Sequence, residues 1–411
     1  MANTNPTEYA YCTLITRSSY LSGVIILAQT LVKYHCKYPL IVLYTDGLSE
    51  DSVAALKAEA PKLNLIPRHT EALLPRKNVH VHLIAERFAD TWTKLRVFQL
   101  CESDPQFKTL CYLDADMIVR QGMDHVFEAA ALPGDDWIAA NHACVCNLDK
   151  DPWAPKDWTK ENCAYTAVEH PGALTHPTPV TPDARPTYHL LNSGMFVFRP
   201  STQLWASMLD FFNTTPMLGE FKFPDQDFLA EFFRNKWMSV GWQFNALKTM
   251  RYWHENIWRD SEVVCLHYIV DKPWAKQVAA DGTAGYLKRD GVTHGWWWDE
   301  YNQWHFQRSK EAETDKEAQK TVETVEYYTD SGKLRDTPDM QALGAQVQAF
   351  ANKKKPTDGD GGAEEKGEEA AEATNEGKEN QPIGSAQTRG KVLGERGHGA
   401  RLRGGSSQMQ P

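Results

Sequence analysis

Short apolar runs alternate with amphipathic stretches through the first half of the chain. Tyr11-Cys-Thr-Leu-Ile-Thr16, Pro39-Leu-Ile-Val-Leu-Tyr-Thr45 and Leu63-Asn-Leu-Ile-Pro67 are of strand length, and continuous apolar runs of that length predict buried strands. Between the first two, Ser22 to His35 has helical periodicity. Asp46-Gly47 breaks the second run, and Ser49-Glu-Asp-Ser52 opens a helix through Ala60. Its hydroxyl and acidic residues sit at the N-terminal end, where they cap free N–H groups and complement the dipole. Trp92 to Cys101 reads as a short helix. Strands alternating with helices predict a mainly parallel, doubly wound α/β sheet.

The densest apolar stretch is Thr109-Leu-Cys-Tyr-Leu-Asp-Ala-Asp-Met-Ile-Val119. It reads as a strand buried on both faces, interrupted by two carboxylates. Burying ionised carboxylates unpaired costs several kcal/mol or more, on the order of the hydration they lose. A divalent cation relieves that cost, and Asp-X-Asp offers hard oxygen ligands suited to Mn²⁺ or Mg²⁺. The same tripeptide also caps ordinary turns, so it does not stand alone as a site.

Further along, Trp137 to His142 and His189 to Pro200 predict strands, and Thr202 to Phe212 a helix. Phe223-Pro-Asp-Gln-Asp227 reads as a turn into a helix over Phe228 to Trp237. Glu262 to Ile269 is a last apolar strand, and Trp296 to Trp304 a helix that packs aromatics on the core. Cys144 to Tyr188 has little periodicity and is rich in Pro, Trp and His. A loop that long inside a compact domain is usually functional.

The 411 residues and 42% hydrophobic content suffice for a large core. No apolar run approaches the roughly 20 residues of a membrane span. The N-terminus lacks a signal-peptide pattern, and the eight cysteines lack small-domain disulfide spacing. A cytoplasmic protein with free thiols is expected. His142, Cys144 and Cys146 form a loose group without a paired Cys-X-X-Cys, so no zinc site is expected there. A formal charge of −10 and the lack of a basic stripe argue against nucleic acid. Lys310 to Val325 suits a surface helix. From Ala351 to Pro411 there is no Phe, Trp or Tyr, and such a tail cannot bury enough apolar surface to order itself.

The motifs, taken in order, resemble glycosyltransferase family 8, the group that includes glycogenin and galactinol synthase. Thr13-Leu-Ile-Thr16 with Tyr20 is similar to its nucleotide-binding strand and turn, and Thr93-Lys-Leu-Arg96 to its Lys-Leu motif. Asp114-Ala115-Asp116 matches the metal motif, and Leu191-Asn-Ser-Gly-Met-Phe196 the Asn-Ser-Gly motif. Asp225-Gln226 matches the Asp-Gln pair, and His267 with Lys272-Pro-Trp274 the closing motif. Phe223 to Leu229, Tyr268 and the late Trp-Trp-Asp-X-Tyr-Asn resemble the galactinol synthase branch more closely. Two positions depart from the pattern. Arg17 stands where Asn is usual, and the loop from His267 to Lys272 is shorter and lacks the usual Gly, with Asp271 unassigned. No clear counterpart of glycogenin's self-glucosylated tyrosine is present.

The resemblance implies a single Rossmann-like domain of GT-A type over residues 9–305. A linker would occupy 306–350 and a disordered tail 351–411. It implies a retaining transfer of a hexose, galactose or glucose, from a UDP-sugar to a hydroxyl acceptor. Asp114, Asp116 and His267 would hold Mn²⁺ or Mg²⁺. Leu14, Thr16, Tyr20, Lys94, Ala115, Asn192, Ser193 and Lys272 would bind the donor with them. Asp225, Gln226, Asn192 and Lys94 would stand at the reacting sugar, and the 144–188 segment would wall the acceptor. A homodimer and a docking role for the tail are left open. Two other readings compete: a nucleotidyltransferase or phosphatase built on Asp114 and Asp116, and a catalytically silent nucleotide-sugar-binding or scaffold protein. No Gly-rich phosphate loop follows the first strand, which counts against P-loop and dinucleotide proteins.

Overall fold

The computed structural model describes residues 8–76 and 90–330; the expected tail at 351–411 lies outside them. The strands are β1 (Tyr9–Ile15), β2 (Leu40–Tyr44), β3 (Leu65–His69), β4 (Thr109–Leu113), β5 (Met117–Val119), β6 (Ile138–His142), β7 (Leu191–Phe198), β8 (Trp237–Ser239), β9 (Ala246–Leu247) and β10 (Cys265–His267). The helices are α1 (Leu21–Lys33), α2 (Glu50–Glu59), α3 (Leu100–Ser103), α4 (Val126–Ala129), α5 (Thr202–Thr214), α6 (Pro224–Phe232), α7 (Met250–Trp253), α8 (Gly291–Ala312) and α9 (Lys316–Tyr327). No helix among the described residues is long and apolar enough to cross a membrane.

The main sheet has seven strands in the order β3-β2-β1-β4-β7-β6-β8. β1 pairs in parallel with β2 and β4, β2 with β3, and β6 with β8; β7 runs antiparallel to both its neighbours. Alternate residues feed two cores. Tyr11, Cys111, Val197 and Ala139 point into one, and Cys12, Tyr112, Phe196 and Ala140 into the other. Coverage on both faces explains why these strands read as unbroken apolar runs. The chain leaves β1 towards β2 on one side and returns to β4 on the other. Ligands collect at such a switch point, beyond the carboxyl ends of the strands.

The stretch from Thr109 to Val119 is two strands rather than one. β4 lies in the main sheet, and β5 in a second sheet of order β5-β10-β9. Asp114-Ala115-Asp116 is the crossing between them. β10 pairs antiparallel with β5, His267 opposite Met117, and parallel with β9. This small sheet brings His267 beside the two aspartates.

The helix expected over Trp92 to Cys101 is a 3-10 run, Thr91–Gln99, leading into α3. Trp92, Leu95 and Phe98 are three apart, and all are buried in the second core. Three residues per turn stack that spacing on one face. α6 begins at Pro224, not Phe228, because Pro is favoured in the first helical turn. Asp225 and Gln226 therefore lie on the helix, and Trp237 has already entered β8. α8 runs past residue 305, and α9 is more than a surface helix. Ala318, Thr321, Val322 and Val325 are buried, on a face packed against α2 and α8.

Candidate active site

A cleft of about 430 Å³ opens at the ends of β1 and β4. Leu14, Thr16, Tyr20, Lys94, Asp114, Ala115, Asp116, Asn192, Ser193, Asp225, Gln226, His267 and Lys272 all line it. Asn147, Asp149, Asp151, Trp153 and Trp158 from the 144–188 segment form part of its wall. Arg17, the first departure from the family pattern, also lines it and donates through Nε to Asp90 Oδ2 at 2.7 Å.

One oxygen or nitrogen from each of Asp114, Asp116 and His267 falls within 4.8 Å of the others. His267 Nε2 is 3.4 Å from Asp116 Oδ1 and 3.7 Å from Asp114 Oδ2. Its Nδ1 is 2.9 Å from Asn245 Oδ1. A carbonyl oxygen only accepts, so Nδ1 carries a proton, and Nε2 is the nitrogen turned to the aspartates. Asn245 Nδ2 donates to Asn192 Oδ1 at 2.8 Å, and Asn192 Nδ2 donates to Gln226 Oε1 at 3.2 Å. A chain of amides thus runs from the Asp-Gln pair to the imidazole. The sequence motifs did not include Asn245; its only signal was a lone amide before a short strand.

Lys94 is buried, and its Nζ lies 2.5 Å from Asp225 Oδ2 and 3.0 Å from Asp114 Oδ1. Burial lowers its affinity for a proton, but the two carboxylates outweigh this and raise its pKa. Asp225 also accepts from Ser193 Oγ at 2.7 Å. Lys272 pairs with Asp116 and donates to Tyr268 O at 2.7 Å. Burial pushes the Asp116 carboxyl up, but Lys272 and His267 overcome it and hold it well below the usual range. Burial also pushes Asp114 up; there it prevails despite Lys94, with Asp116 adding to the rise. The two aspartates thus sit in unequal environments.

The closing loop, the second departure, lacks glycine yet keeps a glycine-like backbone, since Val270 has φ of 70°. A β-branched residue in that region is strained. Asp271 anchors the loop from behind. It takes Lys248 Nζ at 2.5 Å and His294 Nε2 at 3.2 Å, and Lys248 also holds Asp290 at 2.7 Å. Of the loosely grouped His142, Cys144 and Cys146, His142 turns away to Thr178 O at 2.8 Å.

Residues 11–277 match the glycosyl transferase family 8 model, and the chain belongs to that family. It is a glycosyltransferase, with the mixed sheet of a GT-A fold, and the class implies a nucleotide-sugar donor and an acceptor. Curated relatives include galactinol synthase 1 of Solanum lycopersicum, 26% identical over 71% of this chain and 81% of that protein. Galactinol synthase 4 of Arabidopsis thaliana is 27% identical over 73% of this chain and 83% of that protein. Among solved structures, that of the galactosyltransferase LgtC with donor and acceptor sugar analogues aligns with a TM-score of 0.47. It is 16% identical and covers 72% of this chain and 95% of that one.

Proposed function

We propose that the chain transfers a hexose, galactose or glucose, from a UDP-sugar to a hydroxyl acceptor with retention, as a galactinol-synthase-like enzyme. The observation that carries this reading is the lining of one cleft by all thirteen residues named from the motifs. The curated relatives named galactinol synthases support that branch over a glycogenin-like one. The catalytic domain is proposed to extend to about residue 330, because α8 and α9 pack as parts of it.

Two carboxylates and an imidazole nitrogen turned to them are a donor set that fits Mn²⁺ or Mg²⁺. Asp114, Asp116 and His267 would hold the ion, which when bound offsets charge developing on the departing diphosphate. Lys272 adds a fixed positive charge at the same edge. Lys94 and Ser193 both hold Oδ2 of Asp225, which suits a positioning role for this carboxylate, with attack by the acceptor on the face the diphosphate leaves. Asn192 and Gln226 then orient the sugar, and Asp225 positions Lys94.

Thermal unfolding with UDP and Mn²⁺ together tests this reading. Ligand at about 100 times its Kd stabilises by about 2.7 kcal/mol, a rise of several degrees. Neither UDP nor Mn²⁺ alone should give the full shift. No shift with both present would overturn the reading in favour of a chain that has lost its donor site.

A further inference from the structure

A second cluster of ligating side chains lies behind the cleft wall. Cys144 and Cys146 follow β6, Cys163 lies between two 3-10 turns, and His254 ends α7. These positions are up to 110 residues apart in sequence. Cys146, Cys163 and His254 are buried and Cys144 half-buried. His254 Nε2 lies 3.3 Å from the sulfurs of Cys144 and Cys146 and 3.6 Å from that of Cys163. Cys163 Sγ is 4.0 Å from Cys144 Sγ.

Cys163 can donate to Cys144 Sγ, but hydrogen bonds of this weak kind do not account for the convergence on His254. Three thiols surround one imidazole nitrogen, which accepts or donates a single hydrogen bond. A tetrahedral zinc site resolves the conflict. Zn–S of ~2.3 Å and Zn–N of ~2.0–2.1 Å give S···S edges of ~3.8 Å and S···N edges of ~3.6 Å. The S···N separations of 3.3–3.6 Å and the S···S separation of 4.0 Å lie within about 0.3 Å of these edges. Three soft thiolates and an imidazole select zinc over the hard cations suited to Asp114 and Asp116.

We propose that Cys144, Cys146, Cys163 and His254 bind one Zn²⁺, with the thiol protons released to solvent. All four positions are filled by protein, so the ion is structural. It staples the start and middle of the 144–188 segment to the end of α7. Cys144 itself lines the cleft, so the staple fixes the wall that carries Asn147, Asp149 and Trp153. This assignment does not depend on which sugar is transferred.

The test is the metal content of the full chain, purified without added metal and measured by plasma mass spectrometry. About one zinc per chain is expected, retained in an Asp114→Asn/Asp116→Asn variant and in Cys101→Ser. Cys146→Ser and His254→Ala should retain less than about a tenth of it, consistent with loss of one ligand from a closed site. If those variants do not fold, Co²⁺ substitution of the unaltered chain gives a second reading, a thiolate-to-cobalt charge-transfer band with tetrahedral d–d absorption. Zinc that follows Asp114 and Asp116 instead, or no zinc with all eight thiols titratable after denaturation, would overturn the proposal. So would no zinc with two fewer thiols, which would mark a Cys144–Cys163 disulfide.

Discussion

Gly194→Ala is the sharpest perturbation of the metal-binding edge, because it adds one methyl where the structure has no room. A Cβ there would meet His267 Cε1, would lie 2.6 Å from His267 Nδ1, and would lie 2.9 Å from Asn192 Oδ1. Ordinary van der Waals contact begins at 3.4 Å, so the ring must retreat by at least about 0.8 Å or β7 must shift. Metal–ligand distances tolerate about 0.2 Å. Displacing the imidazole by several times that should weaken Mn²⁺ binding about 10–100-fold, comparable to losing an outer-shell partner of a ligand. Overpacking should also cost about 1–3 kcal/mol of stability. Isothermal titration with Mn²⁺ in the presence of UDP measures the first effect, and urea unfolding the second. Gly172→Ala is the matched control, since nothing lies within 4 Å of a Cβ there. Unchanged Mn²⁺ affinity in a folded Gly194→Ala protein would refute the role given to His267.

Lys248→Met should destabilise by about 3–5 kcal/mol in urea unfolding, because it removes the buried cation that Asp271 and Asp290 share. The two carboxylates should respond to acid with opposite signs. Burial raises Asp271, but His294 and Lys248 prevail and lower its pKa. Its contribution is therefore full above about pH 4, the unfolded value, and is lost as pH falls towards the folded one. Burial leaves Asp290 raised despite Lys248, so its contribution is present below about pH 4 and fades as pH rises through its folded value. Unfolding free energies at stepwise pH should show a shallower acid loss in Asp271→Asn and a steeper one in Asp290→Asn; equal slopes would contradict the pairing. Gly295→Ala, within α8 and with no atom within 4 Å of the added Cβ, should raise stability by about 0.5–1 kcal/mol, read as a higher melting temperature.

The strands and helices of the first half were legible because burial on both sheet faces leaves unbroken apolar runs, and Ser49 caps α2 as its residue type suggests. The motif residues were legible by resemblance, and they converge because the small sheet sets His267 against Met117. What the chain hid depends on tertiary context. The crossing at Asp114–Asp116 is invisible because both flanking strands are equally apolar. Asn245 matters through two hydrogen bonds, to His267 and Asn192, far apart in sequence. Cys163 and His254 lie too far from Cys144 for spacing to join them. The closing loop looked altered for want of glycine, yet Val270 takes the positive φ. The charges on α9 masked the narrow stripe of Ala318, Val322 and Val325 that it buries.

The central claim is a metal-dependent hexosyltransferase site at Asp114, Asp116 and His267. Hydrolysis of a panel of UDP-sugars by the full chain, with and without Mn²⁺, tests it most directly beside the Asp114→Asn/Asp116→Asn variant. Slow release of UDP from UDP-galactose or UDP-glucose, dependent on Mn²⁺ and abolished in the variant, is the predicted result. Release that is unchanged in the variant, or none from any sugar, would contradict the claim.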